Sequence, residues 1–150
     1  MANQLGPFPV EFGAVFPSGA FAAGAVEKVR DFEKSSGDRV VQQTDKHTGL
    51  PLWVVEVIDA DPEARQRTVK VKVAAQYQPV LPDAPAGSPF TPVEFEGMQA
   101  TPYVDSSRCT GDSDGKHKCR ARQAYSLKAV GVRIPSRGIG RPAPEHKDAA

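Results

Sequence analysis

The sequence predicts an all-β fold, a small barrel of five or six strands, on three observations. In residues 52–60, Trp53, Val55 and Val57 alternate with Val54, Glu56 and Ile58, the period-two pattern of a strand with one buried face. In residues 67–75, Val69, Val71 and Val73 point opposite to Lys70 and Lys72, which makes a second half-buried strand with a basic outer face. The 150 residues hold 13 Gly and 14 Pro, more than average usage, and that many turn formers favour short strands joined by loops. A chain of this length fits one domain that buries roughly 70% of the surface its unfolded form exposes.

Residues 1–19 carry three prolines around Phe8, Val10, Phe12 and Val15, which predicts an extended arm with little regular structure, packed on the domain through those side chains. Residues 21–32 form the first strand, with Phe21, Val26 and Val29 as apolar markers and Gly24 as a bulge or sharp coil. Ser35, Ser36, Gly37 and Asp38 make a turn, 39–44 a second short strand, and 45–51 a loop with Gly49 as its positive-φ residue. Strand 52–60 turns through Asp61, Pro62, Glu63 and Ala64 into strand 67–75. Asp59, Asp61 and Glu63 cluster as ligands of a hard cation would, but the proline and the turn position favour a solvated turn.

Residues 77–92 contain Pro79, Pro82, Pro85, Pro89 and Pro92, a spacing that forbids a stable helix and predicts an irregular crossover. The two PxxP steps there lack basic neighbours, so a packed crossover is preferred to a peptide ligand. Residues 93–104 and 123–133 form a hairpin whose connection, 105–122, is unusually long. After Pro135, glycines, prolines and a closing polar run predict a flexible basic C-terminal tail. The resulting boundaries are an arm at 1–19, a barrel-like domain at 20–134 and a disordered tail at 135–150.

A coiled first strand, a long crossover after the third main strand and a final hairpin fit a barrel of the oligonucleotide-binding type. Such barrels bind single strands on an exposed strand face and its loops, with cations for phosphates and aromatic rings for bases. Trp53, Tyr77, Tyr103 and Tyr125 are the candidate platforms; the alternation assigns Trp53 to the core, while Tyr103 and Tyr125 are set to face each other across the hairpin. The net charge of +1 is unevenly distributed: through Gly115, 10 Lys and Arg stand against 16 Asp and Glu, a balance of −6, and from Lys116 onward 9 stand against 2, a balance of +7. Such asymmetry points to a polyanion partner, the alternative being a solvated basic strand and tail. The candidate nucleic-acid contacts are therefore Lys116, Lys118, Arg120, Arg122, Lys128 and Arg133 with Tyr103 and Tyr125. Lys118, Arg120 and Arg122, at alternate positions leading into the last strand, project to one side of an extended chain.

Cys109, His117 and Cys119 fall in the long hairpin connection with Asp112 and Asp114. Unliganded thiols rank first there, a zinc site second and a disulfide third: the C-x₉-C spacing departs from paired zinc modules, and a cytosol disfavours a disulfide. Residues 111–115 lack the remaining EF-hand positions and read as a turn. No GxxxxGK[ST], HExxH or GxSxG occurs, and His47, His117 and His146 lie in loops or the tail, so no enzyme and no cofactor is expected. The longest apolar stretches fall short of the roughly 20 residues that span a bilayer, and residues 1–6 lack a signal-peptide pattern, so a cytoplasmic protein without membrane contact is expected.

The strand pair within residues 45–75, together with PVEFEGM at 92–98, TPYVD at 101–105, AYSLKAVGV at 124–132, GPFPVEFG at 6–13 and FPSGAF at 16–21, resembles the plasmid replication, integration and excision activators of integrative elements in Streptomyces and other actinobacteria. The resemblance covers nearly the whole of 6–132. It implies an accessory or regulatory protein that switches on replication and excision functions, with DNA, single- or double-stranded, and replication proteins as partners; it implies no defined DNA-reading motif. Two alternatives stand beside it: a single-strand binder serving replication, and an interaction module that contacts the replication machinery without touching DNA.

Overall fold

Strand pairing in the computed structural model, which describes residues 6–111 and 114–136, follows the alternation of the two central runs. Strand β4 (Leu52–Asp59) pairs antiparallel with β5 (Thr68–Ala74), placing Val55 opposite Val71 on the buried face and Glu56 opposite Lys70 on the outer one. Before them lie β1 (Phe8–Pro9), the single helical turn α1 (Phe12–Val15), β2 (Ala20–Ala22) and β3 (Glu27–Lys28). After them come β6 (Thr91–Glu96), β7 (Gln99–Asp105), β8 (Thr110–Gly111), β9 (His117–Lys118), β10 (Arg122–Ala129) and β11 (Gly131–Arg133). All but β8 and β9 join one curled, half-barrel sheet in the order β1-β7-β10-β5-β4-β2-β6-β11, with β3 added to β4; β8 and β9 form a separate two-stranded ribbon. Among the described residues no helix is long and apolar enough to cross a membrane.

Three expected elements differ. The strand expected over 21–32 breaks after Ala22 and resumes only at Glu27, on either side of Gly24, where no side chain is present to pack. The strand expected over 39–44 is replaced by isolated bonds: Gln43 donates its amide to Val29 and accepts from Leu52, while the Gln42 side chain donates to the Leu52 carbonyl at 2.8 Å. Gln42, Gln43 and Thr44 offer no apolar face on which a longer ladder could be buried. The two final strands are each bent in half. Their pairs keep one register from Arg122 opposite Asp105 to Arg133 opposite Glu94, so β6–β7 and β10–β11 are a single hairpin with a corner. At that corner Gly97 has φ of +58°, and a Cβ there would lie 2.7 Å from a methyl of Val130, so the close approach of Val130 needs a glycine.

The core lies inside the curl. Val55, Val57, Val71, Val73 and Val93 are fully buried, each worth about 1.5–3 kcal/mol of transfer free energy. Trp53 is 7% exposed and donates its indole N–H to the Ala75 carbonyl at 2.9 Å, which confirms its core assignment and satisfies its one polar atom. The N-terminal arm has more structure than expected: β1 pairs with β7, and α1 brings Phe12 against Phe16 and Phe95 at ring distances of 5.4 and 6.3 Å. Phe16, on the arm side of the expected boundary, is itself only 2% exposed within the core. Residues 75–90 form no regular element, as their prolines require. The disordered tail expected over 135–150 lies, from residue 137 on, outside the described residues.

Candidate nucleic-acid interface

The parallel contact between β5 and β10 extends over three residue pairs, Val71 with Leu127 to Val73 with Ala129. Upstream of it the two strands separate: Thr68, Val69 and Lys70 pair only with β4, and residues 122–126 only with β7. The space between them opens into a groove of about 1830 Å³. One wall is the outer face and start of β5. A second is the loop around β3, and the N-terminal arm contributes Phe8, Val10 and Val15. Two strand edges with unpaired backbone groups thus face the same groove.

The groove collects positive charge. Lys28, Arg30, Lys34 and Lys46 come from β3 and the loop after it, Arg65, Lys70 and Lys72 from β5 and the turn before it, and Arg122 from β10. Against these eight cations stand three carboxylates, Asp31, Glu33 and Asp105. Arg122 donates from Nε to Asp105 at 3.1 Å; Lys28, Lys34, Lys46, Arg65, Lys70 and Lys72 make no ion pair among the described residues. Bonds from the Ser107 hydroxyl and amide, and then from Arg122, hold the Asp105 carboxyl down at about 2, so it stays ionised in any ordinary buffer. Exposed rings alternate with the charges: Phe32 is 81% exposed with the Arg30 guanidinium 5.5 Å above its centroid, and Tyr103 and Tyr125 are 51% and 53% exposed.

The residues expected from sequence are only partly brought together. Tyr103, Tyr125 and Arg122 line the groove. The two tyrosines do not face each other, because Tyr103 is opposite Ala124 and Tyr125 opposite Pro102, which sends their rings to opposite faces of the hairpin. Tyr125 instead meets Phe8 edge-on at 6.4 Å and accepts a bond from Gln123. Lys118 lies in the β8–β9 ribbon and Arg120 in the link after it, so the expected stripe of Lys118, Arg120 and Arg122 is divided between two elements; Lys116 stands in the ribbon's turn. Lys128 and Arg133 are engaged elsewhere. Lys128 donates to buried Asp45 at 2.8 Å, and Arg133 is held by Glu94 at 2.7 Å and Glu96 at 3.0 Å. Tyr77 is exposed outside the groove.

Sequence patterning does not single out Lys28, Arg30, Phe32, Lys34, Lys46 or Arg65. All the groove cations but Arg122 belong to the half of the chain with the balance of −6. Only the basic outer face of Lys70 and Lys72 shows in the sequence, as a strand alternation. In the ribbon, Cys109, His117 and Cys119 bring their ligand atoms within 4.8 Å of one another, with the two sulfurs 3.8 Å apart. Asp59 and Asp61 accept bonds from backbone amides two residues on, as a solvated turn would. Comparison of the chain with family models, with curated proteins and with solved structures gives no match.

Proposed function

We propose that this protein binds nucleic acid as a single strand laid along the groove between β5 and β10, on a barrel of the oligonucleotide-binding type. The observation that carries the reading is the groove's composition: eight cations, seven of them (five lysines and two arginines) without an ion pair among the described residues, against three carboxylates, beside exposed Phe32, Tyr103 and Tyr125. Cations track a phosphate backbone and exposed rings give sequence-tolerant stacking surfaces. The barrel assignment is supported by the connectivity, in which β2, β4 and β5 form a meander, β5 runs parallel to β10, β10 pairs with β7, and β6 returns to β2. In barrels of that class the face of the second and third strands carries the ligand, and here those strands are β4 and β5. A single strand is favoured over a duplex because the described residues hold one helix, of four residues, and nothing to fill a major groove. On the resemblance to replication, integration and excision activators, we assign this binding to an accessory protein of a mobile element.

Fluorescence anisotropy with labelled single- and double-stranded oligonucleotides across a salt series tests the reading. Single strands should bind more tightly, and Lys70→Gln with Lys72→Gln should make the slope of log affinity against log salt shallower by ~0.7 for each phosphate that the two lysines neutralise. Tyr103, which the register puts on the same sheet face as Lys70 and Lys72, is the stacking platform of this reading, and Tyr103→Ala should weaken binding by about 1–3 kcal/mol. Absence of any salt-dependent binding would refute it. The two unpaired strand edges would then favour the second reading, a protein partner adding an extended segment to β5 or β10, since such addition rests on main-chain bonds that salt barely affects.

A further inference from the structure

We propose that Cys109, Cys119 and His117 form a binding site for a zinc-class divalent ion, independent of the nucleic-acid reading. The ribbon's register provides the geometry. Thr110 pairs with Lys118 and Gly111 with His117, so the next rung sets Cys109 directly opposite Cys119. His117 lies two residues before Cys119 and so shares its face of the ribbon, and the residue opposite His117 is a glycine that leaves the space above it clear. Two thiols and an imidazole therefore converge on one point, their ligand atoms within 4.8 Å of one another.

The distances fit a metal. A tetrahedral zinc with Zn–S bonds of about 2.3 Å separates its two sulfurs by about 3.8 Å. The sulfurs of Cys109 and Cys119 are 3.8 Å apart, whereas a disulfide requires about 2.0 Å, and both cysteines are free. Cys109 is half-buried while Cys119 and His117 are exposed, so an ion can enter from solvent and keep a water on its fourth position. Binding releases the two thiol protons to solvent and changes no oxidation state. Bound metal would fix a two-rung ribbon that has too few bonds to be stable alone.

Cobalt titration of the reduced, metal-stripped full chain under anaerobic conditions tests the site. One cobalt per chain should bind with a thiolate-to-cobalt charge-transfer band, and one equivalent of zinc should abolish that band. A variant with Cys109→Ser and Cys119→Ser should lose the band completely while its far-ultraviolet circular dichroism stays unchanged, because the ribbon is outside the core. His117→Ala should keep a band and bind cobalt at least ~10-fold more weakly, the lower end of what loss of even an outer-shell partner causes. No band in the intact chain, a band that survives loss of both thiols, or unchanged affinity in His117→Ala would each overturn the proposal.

Discussion

The hairpin strand formed by β10 and β11 behaves differently along its two halves. In the downstream half, Lys128 and Arg133 each meet carboxylates from distant parts of the chain: Asp45 in a loop, Glu94 and Glu96 on β6. In the upstream half the sheet opens, and the cations facing that opening, apart from Arg122, form no ion pair among the described residues. Basic residues of one kind are structural in the first region and available to a ligand in the second. What separates them is which carboxylates the fold brings within bonding reach: Asp45, Glu94 and Glu96 close on the downstream cations, while of the three acids lining the groove only Asp105 closes an ion pair among the described residues, with Arg122. A charge total counts both alike.

This contrast can be tested most forcefully at the closed side of the curl. Phe16→Ala removes a buried ring that packs on Phe12, and should cost about 3–5 kcal/mol in denaturant unfolding, showing that the arm is part of the core. Lys128→Met should cost about 2 kcal/mol, less than the 3–5 for a fully buried pair because the ammonium is partly in solvent. Here the pH dependence sharpens the comparison. Burial pushes the Asp45 carboxyl up, but bonds from Lys128 and Thr48 outweigh it and hold the group below its ordinary 3.8. A folded value below the unfolded one contributes stability above pH 3.8 that is lost as pH falls through the folded value, so the gap between wild type and Lys128→Met should narrow below about pH 4. The smallest effect is expected at the groove: Lys70→Gln with Lys72→Gln should change stability by no more than about 0.5 kcal/mol, because Lys70 is exposed, Lys72 only half-buried, and neither makes an ion pair among the described residues that the fold would lose. A large loss of stability there would erase the distinction between the two regions.

How far the sequence reveals this molecule depends on the range of the interaction involved. Strands β4 and β5 are legible because alternation is local: Val55 and Val57, then Val71 and Val73, state which face is buried. The corner at Gly97 is not, since its cause is Val130, 33 positions away and across the hairpin. Lys128 and Arg133 belong to a basic run in sequence, and nothing nearby announces Asp45 or Glu94. The groove is hidden for the same reason. Lys28, Lys46 and Arg65 are scattered among acidic neighbours, and only the curl of the sheet gathers them while turning many of those neighbours away. Cys109, His117 and Cys119 are visible as a set, but their convergence depends on the ribbon register.

Trp53 is the only indole in the chain, and its position makes it a selective optical probe. Sealed from water and bonded to the Ala75 carbonyl, it should emit at short wavelength in the native state and shift red only when the core opens. Its side chain is absent from the groove lining, whereas Tyr103 and Tyr125 are part of it. Tryptophan emission should therefore stay constant while a ligand fills the groove and tyrosine emission changes, so one cuvette can distinguish occupancy from unfolding without an attached dye.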